Sequence, residues 1–193
     1  MRKILVVVLC AIILMPSITS AQVKKEGKAR GPATKLEAFI SKKGKLIVKD
    51  FYELGEIAGS YGSKIELKAL IIYEPGRESQ KIRGLKIEVS GGGRYEHSNT
   101  SFLDLEEIKS LSKAIEYMVG LSAKWAGINK EYTEVIFSTK GDFDIGFWQK
   151  GTEQRAFSSS GYIGKATCYF SSMQDLSSVK AIADKGLKLL NEK

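Results

Sequence analysis

Residues 101–125 read SFLDLEEIKSLSKAIEYMVGLSAKW, and the fold turns on a change of period inside them. From Leu105 onward, Leu105, Ile108, Leu111, Ile115, Met118, Val119 and Ser122 fall at helical spacing. One such stripe can bury against a sheet, so a helix is predicted over Leu105–Trp125. Asp104, with Glu107 three residues on, resembles a capping box that would satisfy amides at the helix start. The same change recurs near the C-terminus, where Ser172 and Asp175 predict a second capping box and a helix from Met173 to Asn191. The two helices align at an offset of 68 residues. Phe102 meets Phe170, Leu105 meets Met173, Glu107 meets Asp175, Ile108 meets Leu176, and Leu111 meets Val179.

Outward from these helices the period is two. Leu46, Val48, Tyr52 and Leu54 mark a first strand, and Gly59 to Ser63 reads as a hairpin turn. Ile65, Leu67, Ala69, Ile71 and Tyr73 then share a face, with Glu66 and Lys68 opposite. Pro75-Gly76 turns the chain into a third strand at Leu85, Ile87 and Val89. Gly91-Gly92-Gly93 precedes a fourth from Arg94 to Phe102. After the first helix, Tyr132–Thr139, Asp142–Lys150, Glu153–Ser158 and Tyr162–Phe170 read as four more. Four strands and a helix, twice, predict an α+β domain of antiparallel sheet over residues 36–193. Its two pseudo-repeats cover about 36–127 and 128–193.

Tandem β-β-β-β-α units resemble the Whirly family of single-stranded DNA-binding proteins. The likeness covers residues 40–190 as a pattern. The matching stretches are Gly44-Lys45-Leu46 opening the first strand and Ser101-Phe102-Leu103 running into Leu105-Glu106-Glu107-Ile108. Lys43-Gly44-Lys45 is similar to the family's lysine-glycine-lysine start, and the alanine-rich continuation is missing. The resemblance implies sheets that carry single-stranded nucleic acid.

The N-terminus predicts export. Arg2 and Lys3 precede an apolar run of 12 residues, Ile4 to Met15, then Pro16 and small residues up to Ala21. That order is the signature of a signal peptide over residues 1–21. The run is short of the roughly 20 residues of a membrane span. The expected location is periplasmic or secreted, with no membrane span after cleavage. Residues 22–35, QVKKEGKARGPATK, lack an apolar pattern and read as a flexible basic arm. Without Arg2 and Lys3, 28 basic residues stand against 22 acidic, a mature net charge of +6. That balance suits solubility and also an anionic polymer. Cys168 alone survives cleavage, so no internal disulfide is expected, and a buried thiol is the expected state.

Catalytic signatures are sparse. His97 is the one histidine, with Ser98, Ser101 and Asp104 as its nearest candidates for a triad, and no nucleophile-elbow pattern surrounds them. One His and one Cys do not make a structural zinc site, and Asp142 and Asp144 lack the spacing of a calcium loop. No metal or cofactor is expected. Aromatic residues concentrate in the second half, and Trp148 falls on the strand face with Asp142 and Asp144, opposite Phe143, Ile145 and Phe147. An exposed indole near cations can stack a sugar, a base or a peptide ring. The expected ligand-binding residues are therefore Trp148, Lys150, Arg155, Tyr162 and Lys165. The reading is a non-catalytic exported binding or accessory module whose partner is a protein or an anionic polymer. The alternatives are a binder of single-stranded nucleic acid or another polyanion, and a hydrolase with an unrecognised site.

Overall fold

Four strands of the first sheet pair in chain order: β1 (Val48–Ala58), β2 (Lys64–Tyr73), β3 (Ile82–Ser90) and β4 (Ser98–Asp104). The structure, a computed structural model, describes residues 31–93 and 97–193. The signal peptide expected over residues 1–21, residues 22–30 of the basic arm, and residues 94–96 of the fourth expected strand lie outside these. After β4 comes α2 (Leu105–Trp125), with the bounds that its apolar stripe predicts. A second sheet follows, β5 (Lys130–Ser138), β6 (Phe143–Gly151), β7 (Glu153–Ser160) and β8 (Ala166–Tyr169), and then α3 (Gln174–Glu192). Every pairing between neighbouring strands is antiparallel. The fold is α+β, with two antiparallel four-stranded sheets in a tandem ββββα order.

The sheets' inner faces and the two long helices share one core. Ile65, Leu67, Leu85, Ile87 and Leu103 of the first sheet are fully buried, as are Phe143, Ile145 and Phe147 of the second. Ile108, Leu111 and Ile115 of α2 and Leu176, Val179 and Leu190 of α3 complete it. Each such side chain contributes about 1.5–3 kcal/mol on leaving water. α3 crosses β1, β2 and β3, whereas α2 reaches strands of both sheets, and its Trp125 meets Phe147 edge-on with ring centroids 5.8 Å apart. A hydrogen bond between the buried Ser101 and Ser160 hydroxyls, 2.7 Å, ties β4 to β7. The repeats therefore cannot be parted without opening a common interior.

A third helix was not expected. α1 (Lys35–Ile40) is six residues long, too short to show a period. Its capping box is complete: the Glu37 amide donates to the Thr34 hydroxyl at 3.1 Å, and the Thr34 amide donates to the Glu37 carboxylate at 3.2 Å. The arm boundary drawn at Lys35 is corrected accordingly, because the Ala33 amide also donates to Glu37, and the Lys35 amide donates to Asp104 at 2.9 Å. Thr34 and Lys35 belong to the folded unit. Asp104 thus starts α2 and also accepts from the first turn of α1. Its neighbour Glu107 accepts from the Lys140 amide at 2.7 Å, pinning the β5–β6 turn to the same corner. Gly141 in that turn lies so close to β4 that a Cβ would fall 2.2 Å from the Phe102 carbonyl oxygen.

Other boundaries moved. β1 starts at Val48, so Lys43-Gly44-Lys45 lies in the preceding loop, and Leu46 is 76% exposed. β8 holds only Ala166–Tyr169, because Gly161 and Gly164 take positive φ values and keep the chain in a loop. At α3 only half of the expected capping box forms: Asp175 accepts from the Ser172 amide at 2.9 Å, while the Ser172 hydroxyl donates to the same carboxylate.

Candidate functional site on the second sheet

Strand alternation and hairpin register assemble the outer face of the second sheet in rows. Glu134, Trp148 and Arg155 are direct partners across β5, β6 and β7. Ile136, Gly146, Phe157 and Tyr169 form the next row, and Ser138, Asp144, Ser159 and Thr167 the one after. Every inward neighbour on β6 is buried, so these side chains can only point away from the core. Tyr132, Ile136 and Tyr169 are 56%, 45% and 42% exposed, and Trp148 and Phe157 are half-buried. Among the described residues no helix covers them. Gly146 is buried at the centre of its row and packs tightly on β5, since a Cβ there would fall 2.1 Å from the Val135 carbonyl oxygen.

A shallow hollow of about 280 Å³ lies on this face, with Tyr132, Trp148, Phe157 and Tyr169 as its aromatic walls. That is slightly below the roughly 300–1,000 Å³ of an enclosed small-molecule site, so the face suits a ring laid flat. A larger hollow of about 560 Å³ runs along the exposed side of α2, but among the described residues only that helix lines it, and no polar groups converge there from a second element.

The charges on the face are engaged. Lys165 donates to Asp144 at 2.5 Å, and Ser159 donates to the same carboxylate at 3.4 Å. Burial pushes the Asp144 carboxyl up, but the hydrogen bonds from Lys165 and Ser138 and the charge of Lys165 outweigh it and hold the group below its ordinary value. The Arg155 guanidinium lies 5.0 Å from the centre of the Tyr169 ring and donates to the Ser60 hydroxyl at 3.1 Å. The Tyr132 hydroxyl donates to Glu134, and that bond, more than burial, pushes the phenol up.

Comparison with family models, with curated proteins and with solved structures returns no match. The site must therefore be read from its own chemistry. Of the five residues expected from the sequence, Trp148 and Lys165 line the hollow together. Arg155 is the cross-strand partner of Trp148 but turns toward Ser60. Lys150 is exposed at the end of β6, opposite Glu153, and Tyr162 is exposed in the β7–β8 loop; neither lines the hollow. Tyr132, Ile136, Phe157, Tyr169 and Asp144 were not singled out as ligand contacts. Their signal was present in the register: once the β5–β8 hairpins are aligned, they fall on the same face as Trp148.

The catalytic candidates disperse. The His97 ring Nε2–H donates to the Lys165 carbonyl at 3.0 Å, Ser101 bonds to Ser160 inside the core, and Asp104 caps α1. Among the described residues no three His, Cys, Asp or Glu side chains gather as a metal would need. Cys168 is fully buried beside Ser63, and burial pushes its thiol up. None of these helices is long and apolar enough to cross a membrane.

Proposed function

We propose that this chain is an exported, non-catalytic binding module that holds its partner on the outer face of the second sheet. One observation carries the reading: that face gathers several exposed aromatic groups, while the outer face of the first sheet is mostly covered or ion-paired and exposes Phe51 alone among its strand aromatics. α1 seats Leu36 and Phe39 on Leu70 and Ile72 of the first sheet. Beyond the helix, Lys68 pairs with Glu66 at 2.7 Å and Glu53 at 2.9 Å, and Lys86 pairs with Glu88 at 2.7 Å. Exposed aromatic groups gain free energy from a partner that removes them from water and from ring contact. Export rests on the order Arg2, Lys3, apolar run, Pro16 and Ala21. It predicts a mature N-terminus near Gln22, readable by mass spectrometry of the protein from its native host.

The binding reading is tested with Trp125→Phe, which leaves Trp148 as the sole indole. Soluble glycans, single-stranded oligonucleotides and peptides are titrated while its emission is recorded. A saturable shift with one class supports the face. Emission unmoved by all three classes removes it.

The tandem ββββα order also supports a second reading, a Whirly-like binder of single-stranded nucleic acid. It requires affinity that falls steeply with salt, because phosphate contacts release counterions. Gel-shift titration at low salt with no retarded band would dismiss it.

A further inference from the structure

We infer that the ligand of this face is an uncharged oligosaccharide, with a pyranose ring laid on Trp148 and its hydroxyls bonded by the polar residues beside it. The inference rests on the binding reading above and narrows it to one chemical class.

The charge on the hollow decides against a polyanion. Its charged lining residues are Glu134 and Asp144, both acidic, and Lys165, the single base. Lys165 is already neutralised by Asp144 at 2.5 Å, although its other N–H groups can still donate. A phosphate or sulfate chain would meet a neutralised cation and lie against two carboxylates. With Arg155 counted, two bases stand beside two acids, so this face holds no positive excess for a polyanion. A strongly cationic partner fares no better, because the Arg155 guanidinium is stacked over Tyr169 beside Trp148.

The remaining chemistry matches a sugar. A pyranose presents C–H bonds on its flat faces and hydroxyls around its rim. The C–H faces pack on the aromatic planes, of which the hollow offers Tyr132, Trp148, Phe157 and Tyr169. Each rim hydroxyl both donates and accepts, and so needs partners of both kinds. Glu134 and Asp144 accept, Lys165 donates, and the Ser159 and Thr167 hydroxyls do either. The hollow is open and shallow, so it suits one stretch of a longer chain rather than an enclosed monosaccharide.

The test is calorimetric titration of the folded protein with cellohexaose and with chitohexaose, in parallel with heparin oligosaccharide, oligo-dT and a proline-rich peptide. The expected result is binding of a neutral hexaose with affinity that changes less than about twofold between low and high salt. Trp148→Ala should weaken it about tenfold or more, and Trp148→Phe should restore part of the loss. Phe51→Ser on the first sheet, a surface residue that is 50% exposed, should leave it unchanged. Should Trp148→Ala not fold, Tyr169→Ser serves in its place. Equal affinity for the hexaose in wild type and in both face variants would overturn the inference. Salt-sensitive binding of heparin or oligo-dT that shifts Trp148, or peptide binding that does so, would overturn the glycan assignment and leave the binding face standing. Silence from every probe would remove both.

Discussion

The two four-stranded sheets share strand order and antiparallel pairing, and both turn an apolar inner face to the same core, yet their outer faces differ. On the first, α1 covers one end, and at the other Glu66 and Lys68 on β2 and Lys86 and Glu88 on β3 pair along each strand. On the second, the equivalent surface carries Trp148, Phe157, Tyr169 and Ile136, with no helix among the described residues above them. Sheet architecture therefore constrains one face of each strand and leaves the other to selection for something else. One outer face was settled by covering and charge, which also protects it from unwanted association. The other was left sticky in one place, the pattern of a contact surface.

The largest expected effect breaks the cover. Leu36→Ala removes a fully buried side chain from beneath α1 and should cost about 3 kcal/mol in denaturant unfolding. A loss below 1 kcal/mol would mean that α1 is not part of the folded unit. Trp148→Ala, on the open face, should cost only about 1 kcal/mol of stability while abolishing most of the binding. Comparable damage to stability from the two substitutions would erase the distinction between the faces.

The Asp144–Lys165 pair sharpens it through pH. The folded Asp144 carboxyl lies below its ordinary value of 3.8, so its contribution is present above that value and is lost as pH falls below it toward the folded one. Asp144→Asn should flatten the stability profile below about pH 4 and leave it unchanged at neutrality in shape. An unchanged acid limb would show that the pair does not form in solution. The smallest effect belongs to Lys68, held well above its ordinary value chiefly by its hydrogen bond to Glu66. Lys68→Met should lower stability only slightly, and less in high salt. A loss comparable to that of Leu36→Ala would make these ion pairs a structural keystone and not a solvated cover.

Much of this was legible in the chain. The stripe from Leu105 to Ser122 carries 21 residues of helix with both bounds, because its apolar period and its Asp104–Glu107 cap agree. Ile65 to Ile71 is equally clear, since burial on one face forces alternation. α1 escaped because six residues cannot show a period, although Thr34 and Glu37 held the capping spacing. Trp148 was legible as a surface aromatic from the parity of β6 alone. Its companions Tyr132, Phe157 and Tyr169 were not, since that grouping depends on hairpin register, which turn geometry sets and composition does not show. The contrast between the two outer faces was illegible for the same reason: it needs α1 placed on β2, a contact between residues far apart in sequence.

The two tryptophans offer the most direct measurement. Trp148 stands on the open face, and Trp125 closes the core side of the same sheet, edge-on to Phe147. In nitrogen-15-labelled protein titrated with a neutral hexaose, the indole N–H resonance of Trp148 should move and saturate while that of Trp125 stays in place. A titration that moves Trp125 and leaves Trp148 still would contradict the assignment of the open face as the binding surface.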